Sequence, residues 1–368
     1  MSKLSVMLVH SLIFILALIL STGLLNTTLP YSDIHPSLGE VEVKLQYFTE
    51  HKDDYDIIFM GPSTTYFGVI PKLFDEFMAE QGKKIKSFNF GISGANGPEV
   101  DFYLQKILAL KPANLKWIFI DCGLDLFFTD SPTSAIDIYW HTPRKTMENI
   151  QLILESPNHQ WNVKVKHIYA NFKSFIYRWL EIGQLSTVWK ERILKSSSLK
   201  VSEDRLIQES GYYAIEWRKS ENLLKNFSSE QWKRYKKNLK NEEANLETLK
   251  QYTTIINSFT SGKKLLKNIM TRIDKQPQNS KNKIEAIFFI PPTLEADMNR
   301  YAIMQAYNLG YIPTLFAFNN PKEFASLYEI NRRIDSVHLN QVGAREFTLA
   351  LTAKFAQYLK SHEDKAYT

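Results

Sequence analysis

Two distant places in the chain carry residue types that together form a nucleophile and its base. Ser63 directly follows the run Asp56-Ile-Ile-Phe-Met-Gly-Pro. Ile57 to Met60 is wholly apolar, the pattern of a strand covered on both faces. Gly61-Pro62 then turns the chain out of the sheet. Ser63 is thereby placed at the carboxyl end of a strand, where open α/β sheets hold their ligands. A serine in such a position is also an ordinary turn or helix-cap residue, so its chemistry depends on a partner. Among the eight histidines, only His338 has an aspartate three residues earlier in a loop ahead of a terminal helix. Asp335 and His338 can share one turn, the carboxylate orienting the imidazole and stabilising its cation. The imidazole is then able to take a serine proton. The same spacing also serves as a plain turn cap.

Several elements must bring these places together. Ile70 to Glu80 has Leu73, Phe74, Phe77 and Met78 at helical spacing, with Gly82 as a stop. Ile85 to Phe90 reads as a second strand and ends in the glycine-rich turn 91–97. Pro98 opens a helix to about Leu110. Leu115 to Ile120 reads as a third strand, ending at Asp121-Cys-Gly-Leu-Asp125. Three strand–turn–helix units in a row predict an α/β fold with a parallel, three-layer sheet. From 143 to 282 the pattern is helical and rich in Lys, Trp and Tyr. The alternation resumes with a strand at 284–290, a helix at 294–309, a short strand at 311–316 and a helix from about Ala344 to Lys360. Residues 40–51 fit either a short helix or a strand. An α/β core in two segments, 55–142 and 283–368, thus encloses a basic helical insertion, 143–282.

The order of these features resembles the SGNH (GDSL-like) hydrolase superfamily. Gly61-Pro62-Ser63 is similar to its first block, Phe88-Asn-Phe-Gly-Ile-Ser-Gly94 to its second, and Gly123-Leu-Asp125 to a degenerate third. Asp335-Ser-Val-His338-Leu-Asn-Gln-Val-Gly343 is similar to the final block and is the most specific of the four. The resemblance covers about 55–135 and 283–360. It implies a flavodoxin-like sheet, Ser63 as nucleophile, His338 as general base and then acid, and Asp335 as the residue that orients it. It also implies an oxyanion hole formed by the N–H groups of Ser63 and Gly94. The third block normally supplies an asparagine amide, where this chain has Asp125. An ionised carboxylate there would repel an oxyanion, whereas a neutral one could donate. Asn96 in the second turn is an alternative donor. No glycine stands at position 65, which argues against the Gly-x-Ser-x-Gly elbow of ordinary α/β-hydrolases.

The amino terminus places this chemistry in a compartment. After Lys3 no charged residue appears until Asp33, and Val6 to Leu25 is long enough to cross a bilayer. A retained signal-anchor over 1–30, with a juxtamembrane linker at 31–54, competes with a cleaved signal peptide. Lys3 before the span and acids after it leave the main domain on the extracytoplasmic side of the cytoplasmic membrane in either case. Charge is uneven: residues 151–282 hold 24 Lys and Arg against 13 Asp and Glu, while the whole chain is at +6. That basic stretch fits a solvated helical surface, an anionic polymer or lipid head groups. Export disfavours nucleic acid as a partner. The single cysteine, Cys122, excludes an internal disulfide. The remaining histidines are scattered without ligand spacing, so no metal and no cofactor are expected.

The resemblance extends to membrane-anchored SGNH-like proteins of envelope D-alanylation and alginate acetylation. It implies an esterase or O-acyltransferase acting on an acylated glycan or envelope polymer, alongside a membrane-bound O-acyltransferase partner. Hydrolysis and transfer share the acyl-serine step and are not separated by sequence. A catalytically silent scaffold that binds a polysaccharide or such a partner is the alternative, with Asp125 as its main support.

Overall fold

The computed structural model describes residues 2–28, 39–124, 139–156, 160–180, 201–218, 229–249, 257–276, 283–294 and 298–366. The helices used below are, in chain order, α1 (Lys3–Thr28), α2 (Glu40–His51), α3 (Ser63–Gly68), α4 (Pro71–Glu80) and α5 (Gly97–Ala109). They continue with α6 (Pro143–Glu155), α7 (Trp161–Trp179), α8 (Glu203–Gln208), α9 (Ser229–Leu249), α10 (Asn257–Asp274), α11 (Met298–Asn308) and α12 (Gln341–Ala366). In α1 the 20-residue stretch Lys3–Thr22 has a mean hydropathy of 2.5 and buries nothing. At about 1.5 Å per residue it covers about 30 Å, long and apolar enough to cross a membrane. The 40–51 stretch is helical: Val41, Leu45 and Phe48 line one face of α2 and are buried.

The described strands are β1 (Ile57–Gly61), β2 (Ser87–Gly91), β3 (Trp117–Ile120), β4 (Glu285–Ile290) and β5 (Leu315–Ala317). They form one parallel sheet in the order β2-β1-β3-β4-β5. Alternate side chains feed two cores, as the two-residue period of a strand requires. Ile58, Met60, Ile118 and Phe288 pack with apolar residues of α2, α5, α10 and α11. Ile57, Phe59, Phe119 and Phe289 pack with α4 and α12. Because β1 lies between β2 and β3, the winding reverses there, and the carboxyl ends of β1 and β3 border a crevice.

Several boundaries differ from the sequence expectation; β2 and β3, for example, begin at Ser87 and Trp117, two residues later than expected. The last strand begins at Leu315, not Tyr311, because Gly310 adopts φ +74° and Pro313 has no N–H for the ladder. The last helix begins at Gln341 because the Asn340 side chain caps it, accepting from Gly343 N at 2.9 Å. Its end lies at Ala366, beyond Lys360. The described helix α11 runs Met298–Asn308, and residues 295–297 of the expected helix lie outside the described residues.

Helices of the basic middle stretch belong to the cores. Leu265, Leu266, Ile269 and Ile273 of α10 are buried in the first core. In α9, Tyr235 is buried in the second core and donates its hydroxyl to Tyr328 O at 2.7 Å, with Trp232 packed beside it. Charges also join these helices. Asp101 of α5, wholly buried, bonds Lys145 of α6 and accepts from Arg272 Nε of α10 at 2.9 Å. Arg272 also reaches Glu148 at 3.1 Å. Removing one partner of a buried pair leaves an uncompensated charge, which costs about 3–5 kcal/mol. Asp101→Ala is therefore expected to lower the free energy of urea unfolding by about that amount. A loss below about 1 kcal/mol would show that Lys145 finds water or another partner.

Candidate active site

Ser63 does not sit in an open turn; it is the first residue of α3. Pro62, with an extended backbone (φ −77°, ψ −159°), forms the cap, and its carbonyl accepts from Thr65 N and Tyr66 N at 3.1 and 3.0 Å. A proline just ahead of the first turn loses no hydrogen bond, because that N–H has no intrahelical acceptor. Two glycines let this short helix lie on the ends of the strands. A Cβ on Gly61 would come within 2.2 Å of Thr65 Oγ1, and one on Gly91 within 2.5 Å of Tyr66 N. Side-chain bonds then hold it. Asp121, at the end of β3, accepts from Thr64 Oγ1 at 2.6 Å and Thr65 Oγ1 at 3.2 Å. Asn89 of β2 donates to Thr65 O and Val69 O at 2.9 and 2.7 Å, and accepts from Gly91 N at 2.8 Å.

Behind this turn lies a buried lysine. Lys44 of α2 donates to Gly91 O at 2.7 Å and stands 3.6 Å from the centre of the Tyr66 ring. Burial holds its pKa well below the usual lysine value, with Arg218 adding to the shift and Glu40 opposing it. The α2 helix thus grips the peptide that opens the glycine-rich turn. Gly91→Ala would drive a Cβ into the α3 backbone and move Ser63. A displacement of about 1 Å costs on the order of 10²-fold in reactivity. The rate of Ser63-dependent modification by a fluorophosphonate checks this, and a wild-type rate in Gly91→Ala would contradict it.

His338 and Asp335 come from the loop between β5 and α12. Arg333, buried in that loop, donates to Pro292 O, Leu327 O, Ser336 O and Asp335 O at 3.0–3.1 Å. A single guanidinium therefore satisfies three carbonyls of this loop and ties it to the carbonyl of Pro292, beyond the end of β4. Asp335 Oδ1 accepts from the N–H groups of Val337 and His338 at 2.7 and 2.6 Å. Its other oxygen meets His338 Nδ1 at 2.8 Å, and His338 Nε2 meets Ser63 Oγ at 2.8 Å. An ionised carboxylate only accepts, which assigns the ring proton to Nδ1 and leaves Nε2 to accept from the serine. Burial raises the Asp335 pKa, but the hydrogen bond and electrostatic attraction of the His338 ring, together with the N–H groups of His338 and Val337, outweigh it. The net shift lies below the ordinary aspartate value. Phe67 packs edge-on against His338, 5.7 Å between ring centres, and the Arg218 guanidinium lies 4.6 Å from the Phe67 ring.

The structure thus brings Ser63, His338 and Asp335 into one hydrogen-bonded line. Gly94 lies in the turn after β2 with φ +81° and open space where a Cβ would be. Among the described residues, neither Ser63 N–H nor Gly94 N–H donates to a backbone acceptor. Asn96 caps α5, its side-chain oxygen accepting from Glu99 N at 3.0 Å. Asp125 lies outside the described residues.

Four residues that support the site carry no motif in the sequence: Lys44, Asn89, Asp121 and Arg333. Lys44 had a readable signal, since it falls on the buried face with Val41, Leu45 and Phe48. A lysine at an apolar position of a helix is a buried charge with a partner. Asn89, polar within an apolar strand, carries a similar signal. No family model and no curated protein matches the chain.

Proposed function

We propose that the chain is a membrane-anchored SGNH-like serine esterase or O-acyltransferase, acting on acyl esters of an extracytoplasmic glycan or envelope polymer. The observation that carries this reading is the Ser63–His338–Asp335 line, with 2.8 Å at both joints, at the carboxyl ends of a parallel sheet. The strand order β2-β1-β3-β4-β5 is also the flavodoxin-like one the resemblance implies.

In the proposed reaction, Ser63 Oγ attacks the acyl carbonyl while its proton passes to His338 Nε2. Asp335 stabilises the imidazolium that results. The N–H groups of Ser63 and Gly94 take the developing oxyanion, each such donor contributing about 3 kcal/mol. The carbon–oxygen bond to the leaving alcohol breaks, and His338 returns the proton to that alcohol. Water or a sugar hydroxyl then releases the acyl group from Ser63 by the reverse sequence. A membrane-bound O-acyltransferase is the partner that would supply such acyl groups.

The test uses the full chain in vesicles with p-nitrophenyl acetate, followed by an acceptor polysaccharide. Ser63-dependent release of p-nitrophenol is expected, with acetate appearing in water for an esterase or on sugar for a transferase. No Ser63-dependent release from any ester, in a folded chain, would favour the polysaccharide- or partner-binding scaffold.

A further inference from the structure

In α7 the apolar side faces outward. The buried positions of this helix are Ala170, Asn171 and Ser174, all small or polar. Trp161, Val165, Tyr169 and Phe172 are 70%, 58%, 66% and 54% exposed. Their spacing of four, four and three residues puts them in one sector, turned away from Ala170. A helix that packs on a globular core normally shows the reverse arrangement. The helix carries four Lys and Arg and no Asp or Glu; Lys166 and Lys173 border the apolar sector on one side and Lys164 lies on the other.

We propose that α7 docks by its Trp161–Phe172 stripe onto the lipid surface of the membrane that α1 enters. An amphipathic helix with Trp and Phe on one side and lysines at the border lies in the bilayer interface, its rings at head-group depth. Trp and Tyr favour that layer because one end of the ring is apolar and the other polar. Lysines beside the stripe are attracted to anionic head groups. The tether keeps the globular part near the membrane: residues 29–39 between α1 and α2 span at most about 40 Å even when fully extended. A second attachment restricts how the globular part turns relative to the bilayer, which a single tether does not. The proposal is independent of the esterase reading.

The test exploits the one native cysteine, Cys122, which is buried. A fluorophore on Tyr169→Cys is compared with one on Glu80→Cys, an exposed position of α4. The full chain is reconstituted in phosphatidylethanolamine–phosphatidylglycerol vesicles with a nitroxide-bearing lipid. Quenching at 169 is expected to exceed that at 80 by about threefold or more, as an interfacial helix requires. Lys166→Glu with Lys173→Glu should reduce the excess. A measurement without label keeps the outcome clear: brominated lipid should quench native tryptophan emission, and Trp161→Leu should lose part of that quenching. Equal quenching at both positions, or no loss with Trp161→Leu, would overturn the proposal. Absence of contact in pure lipid is also the result expected if the stripe binds a membrane protein.

Discussion

Ser63→Ala is expected to lower acyl-ester turnover by on the order of 10⁴–10⁶-fold while leaving the fold intact. In the proposed reaction the Ser63 hydroxyl forms the acyl bond, so its loss would remove the intermediate and not just one contact. The structural cost is small because Ser63 is partly exposed and, among the described residues, its side-chain bond is the one to His338 Nε2. Substitutions at such sites usually move stability by within about 0.5 kcal/mol. Residues that act as a unit are not additive, so Ser63→Ala with His338→Ala should be no slower than Ser63→Ala alone. Turnover of p-nitrophenyl acetate with parallel urea unfolding measures both quantities. A Ser63→Ala chain that keeps more than about a tenth of the rate would place the nucleophile elsewhere.

Asp335→Asn is expected to reduce kcat by about 10⁴-fold with little change in KM. Asparagine can still accept from Val337 N and His338 N through its oxygen, so the loop keeps its shape. What changes is the group facing Nδ1. An amide NH2 there favours the tautomer with its proton on Nε2, and that nitrogen cannot then receive the serine proton. Ala in the same place would confuse this effect with loss of the turn. A pH dependence of stability accompanies the carboxylate. The pKa of Asp335 is depressed in the folded protein, so its contribution is present above the unfolded value of about 3.9. It is lost as pH falls through the lower folded value. The stability difference between wild type and Asp335→Asn should therefore hold at pH 5–7 and shrink on further acidification. A difference that grows on acidification would contradict the assigned charge state.

The sheet was legible because both-face-buried parallel strands write themselves as apolar runs, and Ile57–Met60 and Ile287–Ile290 do so. Ser63, Asp335 and His338 were legible because a strand end and a short-range pair are both local patterns. Less visible were contacts set by distant pairing. Asp121 holds α3 through Thr64 and Thr65 only because β1 and β3 are neighbours, and no local spacing encodes that. The core role of α10 was masked by its lysines, since apolar Leu265, Leu266, Ile269 and Ile273 occupy only one side of a polar helix. Its pairing through Arg272 with Asp101 spans 171 residues and had no sequence signal. The apolar Tyr311 and Ile312 extend the pattern of the last strand past its true start at Leu315, because Pro313 keeps them out of the ladder.

The most direct measurement is intact-protein and peptide mass spectrometry after reaction of the full chain with a fluorophosphonate. A single phosphonyl adduct on the Ser63 peptide is expected, absent in Ser63→Ala and at least about 10³-fold slower to form in His338→Ala. An unmodified Ser63 in a folded chain, or an adduct that forms equally fast without His338, would contradict the assignment of Ser63 as an activated nucleophile.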